Sequence, residues 1–139
     1  MTAQSNGEAI FHLSFPVRDL DEGLRFYTAV LGGVEGRRED VWADVALFGA
    51  QLTLQHVPDD VLEPMPRSRH FGATLPWRDW EVLVGTLSDF VEPPRIDHRD
   101  TAREQAKAMV QDPSGNLIEL KAYRHPEAVL GILAEGARP

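Results

Sequence analysis

The sequence contains no cysteine, which excludes thiolate zinc sites, thiol nucleophiles and disulfide frameworks. It also lacks any apolar run that approaches the roughly 18 residues of a membrane-spanning helix. Residues 1–9 are polar and have neither the basic segment nor the apolar segment of a signal peptide. We therefore expect a soluble cytoplasmic protein.

Basic residues are scarce. The 14 Lys and Arg against 22 Asp and Glu give a formal net charge of -8. Nucleic acids and anionic membranes both require a basic surface on the protein, so neither is expected as a partner. The hydrophobic fraction of 42% is sufficient for a packed core, and a length of 139 residues suits one domain.

An internal repeat is the most informative pattern in the chain. A strand-like segment begins near His12 and leads to Arg18-Asp19 and a helical segment. A second begins at His70 and leads to Arg78-Asp79 and another helical segment, with two extra residues between the His and the Arg-Asp pair. Each helix is followed by enough chain for three strands. The pattern predicts an α+β fold of two βαβββ modules that enclose a central pocket.

The predicted boundaries follow from this repeat. We expect a single domain over 1–139, with module one at about 8–58, module two at about 68–124 and a short closing helix at about 126–134. Loops are predicted at 58–66 and 93–103, and a tight turn at Gly49-Ala50. The first helix is expected to include Val30 on its buried face, and the second to span 77–90 and open at Asp79. On the first strand, Phe11, Leu13 and Phe15 are expected to pack under a helix.

Strand alternation singles out three residues whose side chains are common metal ligands. His12, His70 and Glu119 each share a strand face with mostly small or polar residues, whereas the opposite faces are apolar. Two imidazoles and one carboxylate bind Fe(II), Mn(II) or Zn(II) and leave coordination positions open. A single strand histidine is more often a surface or core residue, so the residues alone leave a metal site and ordinary structural roles as open alternatives.

Three stretches carry a resemblance to a known family: FHLSFPVRDLDEGLRFYTAVLG at 11–32, RHFGATLPWRDWEVL at 69–83 and QDPSGNLIELKAY at 111–123. The chain resembles the vicinal oxygen chelate superfamily, which includes glyoxalase I, extradiol dioxygenases, fosfomycin-resistance proteins and bleomycin-binding proteins. It is most similar to a glyoxalase-like subgroup related to the dioxygenases. The resemblance implies a homodimer and one divalent metal ion (Fe, Mn, Zn or Ni).

The same resemblance implies that His12, His70 and Glu119 bind this ion, with Glu119 also catalytic. A further ligand position lies on the last strand of module one, where Thr53 or Gln55 stands. Many glyoxalase I enzymes have Glu at that position, so glyoxalase I activity is not expected. The three-ligand set is closer to the extradiol dioxygenase pattern.

Other polar side chains are candidates for the substrate pocket. Lys121 lies on the predicted face of Glu119, where it can bind an anionic group or extend to the rim, and the rim is favoured. Gln105 can line the pocket or bond within the sheet, and packing is favoured for Tyr123 over acid/base chemistry. His98 is a candidate lid residue, with plain exposure as the favoured alternative.

The resulting hypothesis is a metal-dependent enzyme that acts on a small substrate through two neighbouring oxygens. Dioxygenase and lyase or isomerase chemistry both remain open, since the sequence does not identify the metal. The alternative is a non-catalytic small-molecule binding or antibiotic-resistance protein that uses the same cavity.

Overall fold

A computed structural model describes residues 9–137 of the chain. The chain divides into two compact units, one running to Val61 and the other starting at Leu62. Each unit contains one four-stranded mixed sheet, and the predicted α+β fold of two modules is confirmed. Residues 1–8 lie outside the described residues. They include residue 8, where module one was predicted to begin, and most of the segment 1–9 that was considered as a signal peptide. A single domain with a pocket between the modules stays a prediction.

The first unit has the order strand, helix and three strands. The elements are β1 (His12–Val17), α1 (Leu20–Arg25), a π-helical segment (Phe26–Val30), β2 (Val34–Arg38), β3 (Trp42–Leu47) and β4 (Ala50–His56). The strands lie in the order β1-β4-β3-β2. β1 is parallel to β4, and the other neighbours are antiparallel.

The second unit repeats this topology. Its elements are β5 (His70–Thr74), α2 (Trp77–Val84), β6 (Glu92–Asp97), β7 (Gln105–Gln111), β8 (Leu117–Tyr123) and two 3-10 turns (Pro126–Ala128 and Gly131–Ala137). The order β5-β8-β7-β6, with β5 parallel to β8, matches the first unit strand for strand.

Apolar residues of α1 and of one sheet face form the core of the first unit. The Asp19 side chain caps the helix by accepting a hydrogen bond from the Glu22 N–H at 2.8 Å. Leu24 and Tyr27 are buried, as is Leu54 on β4. The helix can lie close to the sheet because Gly23 has no side chain: a Cβ there would be 2.9 Å from Leu54.

Three local predictions in the first unit are wrong. Phe11 precedes β1 and is 68% exposed, so it does not pack under the helix with Phe15. Val30 is exposed because the π-helical geometry shifts it off the buried face of the helix. The tight turn is Phe48-Gly49 rather than Gly49-Ala50, with φ values of 52° and 74°. Two consecutive positive φ angles are typical of a two-residue hairpin turn.

Two further predictions fail in the second unit. The segment predicted as a loop at 93–103 begins inside β6, because prolines are tolerated on an edge strand. The helix ends at Val84, well before residue 90, and it starts at Trp77, so Asp79 lies in its first turn rather than opening it. The segment of the predicted closing helix contains two short 3-10 helices, Pro126–Ala128 and Gly131–Ala137. No helix in residues 9–137 has the length and apolar character needed to cross a membrane.

Asp44 on β3 is a buried carboxylate whose charge is compensated within the first unit. It accepts hydrogen bonds from the Thr53 hydroxyl at 2.7 Å and the Arg37 Nε at 2.8 Å. Gln51 donates a third at 3.3 Å. Burial is the largest single effect and raises the pKa of Asp44, but the three hydrogen bonds together lower it below its ordinary value. The carboxylate therefore ties β2, β3 and β4 together.

Asp44→Asn is expected to lower the free energy of unfolding by about 2 kcal/mol near neutral pH, since an amide replaces an ionised acceptor. The folded pKa is lowered, so this stabilisation is present above the unfolded value of 3.8 and is lost as the pH falls through the folded pKa. Urea denaturation of the two proteins should show a gap between their free energies of unfolding, and this gap should narrow as the pH falls. Asp40→Asn, at an exposed carboxyl, is the control and should show no gap. A pH-independent gap would contradict this account.

Candidate metal site on strands β5 and β8

The turn before β8 fixes where that strand begins. One oxygen of the buried Asp112 carboxylate accepts the N–H groups of Ser114 at 2.8 Å and Asn116 at 2.9 Å. Its other oxygen accepts the Asn116 side-chain amide at 2.9 Å. Gly115 has a φ of 89°, which favours glycine. The DPSGN segment is thus a hydrogen-bonded turn that sets the start of β8.

Helix α2 packs against β8 on one face of the sheet. The indole N–H of Trp80 donates to the Leu120 carbonyl at 2.9 Å, and both side chains are buried. Since successive strand residues point to opposite faces, Glu119 and Lys121 face away from the helix. Packing of the helix therefore directs these two polar side chains to the other face of the sheet.

His70 and Glu119 meet on that face. The Nε2 atom of His70 lies 3.5 Å from Oε1 of Glu119. The Nδ1 atom of His70 lies 2.7 Å from the Arg67 carbonyl, which can only accept, so Nδ1 carries the proton that it donates. In the neutral imidazole this leaves a lone pair on Nε2 beside the carboxylate. A histidine oriented by a backbone carbonyl in this way has the arrangement typical of metal-ligating histidines.

A cavity of about 230 Å³ opens beside this pair. The lining residues are His70, Phe71, Gly72, Ala73, Thr74, Glu119 and Lys121. Two electron-pair donors that face one polar cavity suit a divalent cation such as Fe(II), Mn(II) or Zn(II). By donor chemistry, the residues of this unit fit the predicted ion.

Lys107 on β7 was not predicted as part of the site. Its Nζ atom lies 3.6 Å from Oε2 of Glu119, so the carboxylate lies between a histidine and a lysine. The available sequence signal was strand pairing: β7 and β8 form an antiparallel hairpin, and Lys107 stands directly opposite Lys121. Pairing residues across the Asp112 turn would have found it.

His12 lies at the start of β1 in the first unit and is exposed. Like His70, its ring faces a backbone carbonyl. Its Nδ1 atom is 3.2 Å from the Gln51 carbonyl, which leaves Nε2 as the lone-pair atom of the neutral ring. Among the side chains described in residues 9–134, the structure groups no three His, Asp or Glu that could hold a metal ion. The place of His12 in a three-ligand set stays a prediction.

Sheet register identifies the counterpart of Glu119 in the first unit. His12 pairs with Gln51 and His70 pairs with Leu117, so Thr53 occupies the position of Glu119, two residues further on. The Thr53 hydroxyl is buried and donates to Asp44, while Gln55 donates to the Ser14 hydroxyl at 3.1 Å. The carboxylate on this face comes from Asp44 on β3, a residue that the sequence did not single out as functional.

The other predicted pocket residues lie at different places. The Gln105 amide donates to the Tyr123 hydroxyl at 3.1 Å, and the Lys121 ammonium lies 5.9 Å from the centre of the Tyr123 ring. His98 is exposed in the turn after β6, with a φ of 55°. Lys121 is thus the one of these four that lines the cavity beside His70.

A larger cavity of about 760 Å³ lies in the first unit, at the end of its sheet. Apolar residues such as Leu31 and Leu47 line it together with Arg37, Asp44 and Gln51. Arg37 is bound to Asp44, and its guanidinium lies 5.0 Å from the centre of the Trp42 ring. His12 is not among the lining residues, although its carbonyl partner Gln51 is.

Comparison with known proteins supports the same fold. A family model described as the Glyoxalase/Bleomycin resistance protein/Dioxygenase superfamily matches residues 9–120. A glyoxalase/bleomycin resistance protein/dioxygenase from Alicyclobacillus acidocaldarius is 28% identical with a TM-score of 0.80, covering 90% of this chain and 98% of that one. No protein in the curated set matches the chain.

Two more distant solved structures show the fold alone. A glyoxylase/bleomycin resistance protein/dioxygenase domain from Frankia is 24% identical with a TM-score of 0.63, covering 84% of this chain and 93% of that one. The fosfomycin resistance protein FosX from Listeria monocytogenes is 13% identical with a TM-score of 0.67, covering 88% and 98%.

Gly72→Ala is expected to destabilise the protein by about 3 kcal/mol. A Cβ at this position would lie 1.8 Å from the Glu119 carbonyl oxygen, so β5 and β8 would have to separate. Urea denaturation measures the loss. The matched control is Gly36→Ala on β2, where the nearest atom to a new Cβ is 3.4 Å away, and a change of at most about 1 kcal/mol is expected there. Equal stability of the two variants would contradict the close approach.

Proposed function

The chain belongs to the Glyoxalase/Bleomycin resistance protein/Dioxygenase superfamily, and from this premise we propose that it is a metal-dependent enzyme of the vicinal oxygen chelate type. The observation that carries the proposal is the pair formed by His70 and Glu119, whose Nε2 and Oε1 atoms lie 3.5 Å apart beside a polar cavity. The Arg67 carbonyl holds the imidazole with its lone pair toward the carboxylate.

His12 is the proposed third ligand. It occupies the position in β1 that His70 occupies in β5, and its Nδ1 is likewise directed at a backbone carbonyl. Two histidines and one carboxylate would leave coordination positions for a substrate. We further propose that the protein is a homodimer.

A bound divalent ion would supply Lewis acidity to two neighbouring oxygens of a small substrate. The residues of the chain prepare the site for this. The Arg67 carbonyl orients His70, the contact with Lys107 orients the Glu119 carboxylate, and Gly72 brings β5 close to β8. Pre-oriented ligands need little rearrangement when an ion and a substrate arrive.

The metal is tested on protein purified without chelator. We expect about one divalent ion per chain by elemental analysis, and His70→Ala, Glu119→Gln and His12→Ala should each weaken its binding at least about 100-fold, the upper end of the effect of losing an outer partner. His98→Ala and His125→Ala are the controls, because both side chains are exposed. Undiminished metal in His70→Ala, or no metal of any kind in the unaltered protein, would refute the enzyme proposal and favour a non-catalytic binding protein.

A complementation experiment identifies the chain that supplies His12. Differently tagged His12→Ala and His70→Ala chains are co-expressed, and the mixed dimer is purified on both tags. Ligands drawn from two chains would leave one intact site in each mixed dimer, and so about half the metal per chain. Ligands drawn from one chain would leave no intact site. Failure to recover a mixed dimer while each variant is folded would contradict the homodimer.

The identity of the metal separates the two candidate chemistries. Stoichiometric Fe(II) with coloured ring-cleavage products from a panel of catechols is expected for a dioxygenase, whereas Mn, Zn or Ni would indicate a lyase or isomerase. In either case turnover should fall with the metal content of Glu119→Gln. Turnover that persists after complete removal of the metal would contradict the mechanism.

A further inference from the structure

The only two lysines in the sequence are Lys107 and Lys121. They stand directly opposite each other on the antiparallel strands β7 and β8. Arg95 on the neighbouring strand β6 pairs in turn with Lys107, so three cations form one row across the sheet. Like charges in direct cross-strand contact destabilise a sheet unless anions neutralise them. The row therefore raises the question of which anion accompanies each cation.

Two of the three cations have a carboxylate partner. Arg95 binds Glu92 at 3.2 Å and Asp97 at 3.1 Å. Lys107 lies 3.6 Å from Glu119. These contacts place a carboxylate beside two of the three cations of the row.

Lys121 has no such partner among residues 9–134, the part of the chain whose side chains the structure describes. No carboxylate of this part of the chain lies within 4.0 Å of its ammonium, which contacts the ring of Tyr123 instead. The side chain is half-buried and lines the cavity of about 230 Å³ that also contains His70 and Glu119. Of the three cations in the row, Lys121 is therefore the one without a carboxylate within 4.0 Å in these residues.

We propose that Lys121 binds an oxyanion group of the substrate, so that the substrate of the proposed enzyme is a small anion. The identification of the anion as a substrate rests on the proposed function, but the anion site itself does not require the metal. Lys107 is a positioning residue: its charge repels the Lys121 ammonium, and its contact with Glu119 holds that carboxylate away from Lys121. A carboxylate or phosphate-type group is the matching chemistry, because a lysine ammonium donates strong charge-assisted hydrogen bonds to such oxygens.

The row also links anion binding to Glu119. In the protein alone, Glu119 supplies the only carboxylate that lies within 4.0 Å of Lys107 among the side chains described in residues 9–134. Its negative charge lowers the positive potential that an arriving anion meets. Removal of this charge in Glu119→Gln should therefore strengthen anion binding, which is the opposite of its expected effect on the metal.

The test uses the full chain, stripped of metal and labelled with ¹³C at lysine Cε, which gives one NMR signal for each lysine. Inorganic phosphate is titrated at constant ionic strength against chloride. We expect saturable shifts of both signals, larger for Lys121. Lys121→Gln should weaken phosphate binding at least about tenfold, as monitored through Lys107. Glu119→Gln should tighten it severalfold.

The matched control is Arg78→Gln, which removes an exposed cation from helix α2 and should leave phosphate binding unchanged. Lys121→Arg keeps the charge and should retain binding, and it serves as a second variant if Lys121→Gln fails to fold. Shifts that do not saturate, or that chloride reproduces, would overturn the proposal. Equal phosphate affinity in Lys121→Gln and the unaltered chain would also overturn it. Since the protein is stripped of metal for this test, neither result depends on the metal content measured for His70→Ala.

Discussion

The parallel pairing of β5 with β8 sets the geometry of everything proposed for the second unit. Gly72 stands opposite Glu119, and no other residue would allow the two backbones to approach so closely. This approach brings the imidazole of His70, two residues earlier, beside the carboxylate. The Asp112 turn fixes where β8 begins, and Trp80 fixes which way it faces. The pair of ligand-type side chains is thus a product of backbone contacts made by other residues.

The fold was largely predictable because its signals are local. Alternation along each strand and the repeated order of a His followed by an Arg-Asp pair predicted two modules, and the family match and structural neighbours confirm this. Strand parity alone predicted that Glu119 and Lys121 share a face, and His70 lies on that face as well. Parity depends on the residue's own strand, so it can be read without knowledge of its neighbours. The place of His12 in the site depends on the arrangement of the modules, which no local pattern reports.

Features that depend on neighbouring strands were missed. The β6 prolines indicated a loop, because sequence does not show that a strand will lie at an edge. Thr53 and Gln55 could not be distinguished until the register of β1 with β4 was known. Lys107 escaped notice for the same reason, since its importance comes from Glu119 and Lys121 on the adjacent strand. Asp44 was hidden because its hydrogen bonds come from two other strands.

Trp80 has a consequence for how the protein can be observed. Its indole bonds to the carbonyl of Leu120, the residue between Glu119 and Lys121, from the reverse side of the same strand. The neighbouring Trp77 packs at 6.4 Å from it, under the guanidinium of Arg124. Two of the three tryptophans of the chain are therefore intrinsic fluorophores placed behind the polar face of β8. Their emission offers a label-free optical signal for changes in that strand, separate from Trp42 in the other unit.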